Sequence, residues 1–133
     1  MALIKNSGRQ ELIAAYQDIS VADLVTNVAL NVMQLPVGAV VVSGDLVTTE
    51  AWNSSTSDVM DVGDAGLATR YMTDGNIHAL GSRVPINPTG FVVTSAQPYL
   101  TVTWTSGGGT PTTGKVRLAV QYYVVGRAEF AQG

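Results

Sequence analysis

Three aspartates stand three residues apart in DVMDVGDAGLATRY, residues 58 to 71: Asp58, Asp61 and Asp64, set around Gly63 and Gly66 and followed by Arg70 and Tyr71. Converging carboxylates would bind a divalent cation. Calcium, however, takes about six to eight oxygens, and the EF-hand places its acids at every second position with a distal glutamate. Spacing by threes does not match. On a strand Asp58 and Asp61 point to opposite faces, and Asp61 and Asp64 converge only if the chain turns at Gly63. The reading taken is a turn: Val59 to Val62 end a strand, Gly63 to Gly66 turn the chain, and Arg70-Tyr71 start the next element. A short carboxylate in such a turn caps free amides, and Asp61 or Asp64 can pair with Arg70. Metal binding by the trio stays open as the alternative.

The other reactive residues are sparse. His78 is the only histidine, and it lies in a glycine-rich turn with no Gly-x-Ser-x-Gly elbow, so a solvent-facing loop histidine is expected rather than the base of a triad. Glu11, Glu50 and Glu129 are far apart, and nothing in their spacing pairs any of them with an aspartate for glycoside hydrolysis. Gly107 to Gly109 join two strand-like runs instead of opening a helix, which removes the dinucleotide reading. The inventory supplies no catalytic set, no cofactor-binding set and no assigned metal ligands. Trp52 and Trp104 remain as a possible sugar-stacking platform. Trp104 shares a face with Leu100 and Val102 and reads as core, whereas Trp52, followed by Asn53, Ser54 and Ser55, is freer to reach an interface or a glycan.

The elements that must position these residues read as strands. In KVRLAVQYYVV, Val116, Leu118, Val120, Tyr122 and Val124 share one face, with Lys115, Arg117 and Gln121 on the other. YLTVTWT alternates in the same way, with threonines on its outer face. Between them SGGGTPTTG reads as a long hairpin loop. Further strands are expected near Glu11 to Gln17, near Leu24 to Gln34 and in LPVGAVVVSGDLVTTEAW, where Pro36 and Gly38 punctuate and Gly44-Asp45 turns the chain. Leu24, Val28 and Val32 share a four-residue spacing that also suits a helix, but Val25, Thr26, Asn27 and Asn31 are poor helix formers, and the strand is preferred. TDGNIHALGS reads as an irregular crossover and GFVVTS as another short strand. About eight strands without a dependable long helix predict an all-β fold: a two-sheet antiparallel β-sandwich, jelly-roll-like. It is expected to be one domain over 1-133, with residues 1-10 as an N-terminal arm.

Composition narrows the function. Hydrophobic residues make up 46% and charged residues 13%, against about 25% charged in a typical soluble chain, so part of the surface is expected to meet a partner. The net charge of -3 and the scattered cations argue against nucleic acid. No apolar run approaches the roughly 18 residues of a membrane span, and Lys5 and Arg9 interrupt any signal-peptide core, so a soluble protein made in the cytosol is expected. Cysteine is absent.

LPVGAVVVSGDLVTTEAWN, followed by SDVMDVGD and then RY, resembles a pattern of tailed-bacteriophage virion proteins. The matching residues are Leu35, Pro36, Gly38 to Val41, Trp52, Asn53, Asp61 to Asp64, Arg70 and Tyr71, and the likeness runs from about residue 35 to 125. It implies a small jelly-roll-like capsid decoration, or cement, protein on the virion surface. The partner it implies is the major capsid protein, and the form a homo-oligomer, with a trimer favoured. A glycan-binding module of a tail fibre or head surface is the alternative, with Trp52 and the loop at 106 to 114 as contacts.

Overall fold

A computed structural model describes residues 11 to 125. The proposed arm at residues 1-10 lies outside the described residues. Eight strands are present: β1 (Ile13–Ser20), β2 (Ala29–Gln34), β3 (Ala39–Glu50), β4 (Asp58–Gly63), β5 (Met72–Asn76), β6 (Arg83–Pro85), β7 (Tyr99–Ser106) and β8 (Lys115–Val124). One short 3-10 turn, Val21–Asp23, follows β1. The strands form two four-stranded sheets, in the orders β1-β8-β3-β6 and β2-β7-β4-β5. All pairings are antiparallel, and each of the first four strands pairs with its mirror in sequence: β1 with β8, β2 with β7, β3 with β6, β4 with β5. That nesting is a hairpin rolled up on itself, the jelly roll.

The core lies between the sheets because the alternation demands it. Val116, Leu118, Val120, Tyr122 and Val124 of β8 are buried, as the period of two requires. From the facing sheet Met60, Val62, Leu100, Val102 and Trp104 close on them, with Ile19 and Leu46 filling the middle. A buried aliphatic side chain of this kind contributes roughly 1.5–3 kcal/mol relative to exposure.

Several expectations from sequence need correction. Gly44-Asp45 does not turn the chain: β3 runs straight through both residues. A Cβ at Gly44 would collide with the Ala119 carbonyl of the neighbouring strand, so this glycine serves a close approach. Gly38 does mark a turn, at φ 93°, where Ala39 N–H donates to the Pro36 carbonyl at 3.1 Å. The strand expected from Leu24 begins only at Ala29, because Asn27 at φ 63° bends the chain beforehand. SGGGTPTTG is not a hairpin loop, since β7 and β8 lie in different sheets and the segment crosses between them. TDGNIHALGS contributes to a strand, β5, and GFVVTS contributes only the isolated bridge between Val92 and Val40. Val59 to Val62 belong to a complete strand, β4, rather than to the end of one.

Candidate functional site

Asp58 opens β4 and points inward, where it is fully buried. Three donors surround its carboxylate. Trp104 Nε1 donates to Oδ1 at 2.9 Å, and the Ser54 hydroxyl donates to Oδ2. His78 Nδ1 lies 2.7 Å from Oδ2, and the Nδ1–H tautomer is the one that donates to an ionised carboxylate there. A buried carboxylate is tolerable only when its lone pairs are filled in this way. The contacts link the β3–β4 connection, β4, the segment after β5, and β7, so the cluster joins two strands and two loops at one end of the sheet.

Ser54, His78 and Asp58 are the residue types of an acyl-transfer triad, brought together from positions that sequence spacing did not connect. Their order is wrong for that chemistry. Ser54 Oγ lies 3.4 Å from Nδ1, the same ring nitrogen that meets Asp58, whereas a triad needs the serine on one nitrogen and the acid on the other. Ser54 is itself buried. The arrangement ties backbone segments together, the Ser54 hydroxyl also reaching the Ser57 carbonyl at 3.2 Å. His78 is corrected accordingly: it is about one-third exposed and anchored on Asp58 instead of lying free in a loop.

Asp64 occupies the turn as its spacing suggested. Its Oδ1 accepts from the amides of Gly66 and Leu67, both at 2.9 Å, and its Oδ2 accepts from Arg70 Nε at 2.5 Å. The Arg70 guanidinium also lies 3.6 Å from the centre of the Phe91 ring. Tyr71, buried behind this pair, has its hydroxyl pKa raised by burial first and by the nearby Asp64 charge second, with Arg70 acting the other way. Asp61 turns aside and accepts from the Asp74 amide at 2.7 Å. The three aspartates thus take three separate sets of partners, and among the described residues no group of three or more acids and histidines is placed to hold a metal ion.

Trp52 does not lie free at a strand end. It is buried against Trp104, with ring centroids 5.3 Å apart and planes inclined at 36°. Gly114, at φ 147°, covers it so closely that a Cβ there would strike the indole ring. A sugar cannot stack on a face that the chain already covers, and the Trp52 platform is withdrawn. Beside it Asn53 receives the amides of Thr112 and Thr113 on Oδ1 at 2.8 and 3.2 Å and donates to the Thr112 hydroxyl at 2.9 Å. Glu50 Oε1 accepts from the Gly114 amide at 2.9 Å. The crossing segment is therefore pinned at its end by residues some 60 positions earlier.

A concavity lies elsewhere, on the outer face of the β1-β8-β3-β6 sheet. It is an open groove of about 710 Å³ between Tyr16 on one side and Pro85 on the other, floored by Ala119 and Gly44. Asp45 at its rim is paired with Arg83 at 2.5 Å. It contains no nucleophile activated by a base and no convergent acids.

These features define a structural β-sandwich, a jelly roll whose buried polar groups serve the scaffold. Its fold is that of bacteriophage capsid chains. A chain of the cyanophage Pam1 capsid asymmetric unit is 28% identical, with a TM-score of 0.72 over 93% of this chain and 91% of that one. Two others show the fold alone. One comes from the acid-stable capsid of Helicobacter pylori bacteriophage KHP30, with 16% identity, a TM-score of 0.61 and coverage of 85% and 87%. The other belongs to the capsid of Ralstonia phage GP4, with 18% identity, a TM-score of 0.51 and coverage of 95% and 91%. No family model matches the chain, and no curated protein matches it significantly. The resemblance seen in LPVGAVV, DVGD and RY holds at the level of a phage virion structural protein with a β-sandwich fold.

Proposed function

We propose that this chain is a capsid decoration protein that binds an assembled major-capsid lattice on the virion surface and stabilises it. The observation that carries this reading is the likeness to the Pam1 capsid chain: more than nine-tenths of both chains align, so the match is to a whole chain of similar size rather than to a module of a larger one. The interior supports it. The polar clusters at Asp58, Asp64 and Asn53 are spent on holding loops, and the reading is of a protein without catalysis, whose surfaces do the work. The composition agrees, since a chain with 13% charged residues leaves much uncharged surface for neighbours to cover.

The mechanism is mass action. A protein that binds the mature lattice and not its dissociated or unexpanded subunits stabilises the lattice by RT ln(1 + [L]/Kd), about 2.7 kcal/mol per site at a hundredfold excess over Kd. Copies made in the host cytoplasm as one domain would associate with one another and with the major capsid protein. Residues 1-10, with Lys5 and Arg9 and no acid, would serve as an arm over an adjoining subunit. The test is to strip the protein from particles and add it back. Rebinding at a fixed ratio to the major capsid protein, with recovered heat resistance, is expected; particles that take up none would refute the proposal.

A further inference from the structure

Each sheet of a jelly roll leaves two edges, and an edge strand exposes a row of unpaired amides and carbonyls that another chain can extend. Three of the four edges here are blunted. β6 has only three residues and ends in Pro85. β5 is bulged against β4, with Asp74 at φ 51° and its amide taken by Asp61. β2 is bulged between Asn31 and Met33. Among the described residues β1 carries none of these devices and has no further strand beside it. Its eight residues, IAAYQDIS, pair with β8 in unbroken register and include no proline, glycine or lysine. Its one acid, Asp18, is neutralised by Arg117 at 2.7 Å, and Tyr16 stands 65% exposed in its middle.

We propose that the free edge of β1 pairs antiparallel with β1 of a second copy, so that two β1-β8-β3-β6 sheets become one eight-stranded sheet across a two-fold axis. The sequence of β1 suits its own reverse. A two-fold perpendicular to the sheet keeps both cores on the same side only if paired positions have an even sum, and an even sum also brings outward amides opposite outward carbonyls. Centred on Tyr16, the pairing sets Tyr16 against Tyr16 on the outer face and Ile13 against Ile19 on the core face, and it sets Ala14 beside Asp18. Every position from Ile13 to Ile19 then has a partner, and no charge faces a like charge. This inference departs from the trimer implied by the resemblance and does not depend on capsid binding.

The full-length chain in solution tests it without any capsid. It should sediment at twice the 13.9 kDa of one chain. Tyr16→Lys and Tyr16→Glu, each placing like charges face to face at the axis, should each weaken the dimer by roughly tenfold or more, and mixing the two variants should restore it. Because the chain has no cysteine, Tyr16→Cys offers a second readout. Directly paired Cα atoms lie about 4.5–5.5 Å apart, within disulfide reach, so oxidation should give a covalent dimer. Ala14→Cys and Asp18→Cys should cross-link when mixed and not when alone. A monomeric or trimeric wild-type chain, or a Tyr16→Cys variant that stays uncross-linked, would overturn the proposal.

Discussion

Trp104 Nε1 donates a 2.9 Å hydrogen bond to Asp58 Oδ1 across the β4–β7 pair, and the carboxylate it meets has no exposure to solvent. The aromatic core and the one acid without solvent exposure among the described residues are therefore a single unit. Removing the acid takes the acceptor from all three groups and leaves the buried Trp104 Nε1–H with none, while Ser54 keeps the Ser57 carbonyl and His78 keeps solvent. Asp58→Ala should lower stability by about 3 kcal/mol or more, since each unsatisfied buried group costs roughly 1–3 kcal/mol. Thermal unfolding would register this as a fall of roughly 10 °C for a chain of this size. Asp58→Asn, which keeps the acceptor toward Trp104, should fall less.

Trp52 gives a second expectation. As a core residue covered by Gly114, it should cost about 3–5 kcal/mol when cut to alanine. Trp52→Phe should cost far less, because the indole N–H has no hydrogen-bond partner among the described residues and its loss strands nothing. Chemical denaturation of the two variants separates packing from surface recognition: a Trp52→Ala protein of unchanged stability would contradict the burial.

At the turn, Asp64→Ala should cost about 2 kcal/mol, because it leaves the Gly66 and Leu67 amides and Arg70 without their acceptor. Asp61→Ala, which frees one amide near the surface, should cost about 1 kcal/mol. Calcium at millimolar concentration should leave the melting temperature of the wild-type chain unchanged. A calcium-dependent rise lost in Asp64→Asn would reinstate the metal reading.

Alkali supplies a fourth test through Tyr71. Its hydroxyl pKa is raised above the ordinary 10.0 by burial and by Asp64. A raised value in the folded state means the neutral form is favoured there, so the associated stability is complete below the unfolded pKa. It is lost as pH climbs from that value through the folded one. Melting curves above pH 10 should fall more steeply for the wild-type chain than for Tyr71→Phe.

Local chemistry was legible and long-range chemistry was not. The partners of Asp64 all lie within six residues of it, so the turn in DVGDAGLATR could be read from spacing. The alternation in KVRLAVQYYV likewise identified its core face, and that in YLTVTWT identified Leu100, Val102 and Trp104, although Thr101 on the opposite face is buried as well. Trp52 was misread because the glycine that covers it comes 62 positions later in the chain. Gly44-Asp45 has the composition of a turn, and only the approach of Ala119 shows why a glycine stands inside a strand. Asp58 and His78 are 20 residues apart and meet only when β4 and β5 have folded together. No spacing rule encodes that.

The nested pairing also sets an order of events. β4 and β5 can meet as soon as both exist, but Ile19 of β1 must wait for Val116 of β8. Closing such a distant pair is entropically slow, and topologies dominated by it fold late and gradually. On the ribosome β1 and β3 have no shared neighbour until β8 has emerged, so the edge that would recruit a second copy takes shape only after β8 is made. Chains that stop short of β8 cannot use it.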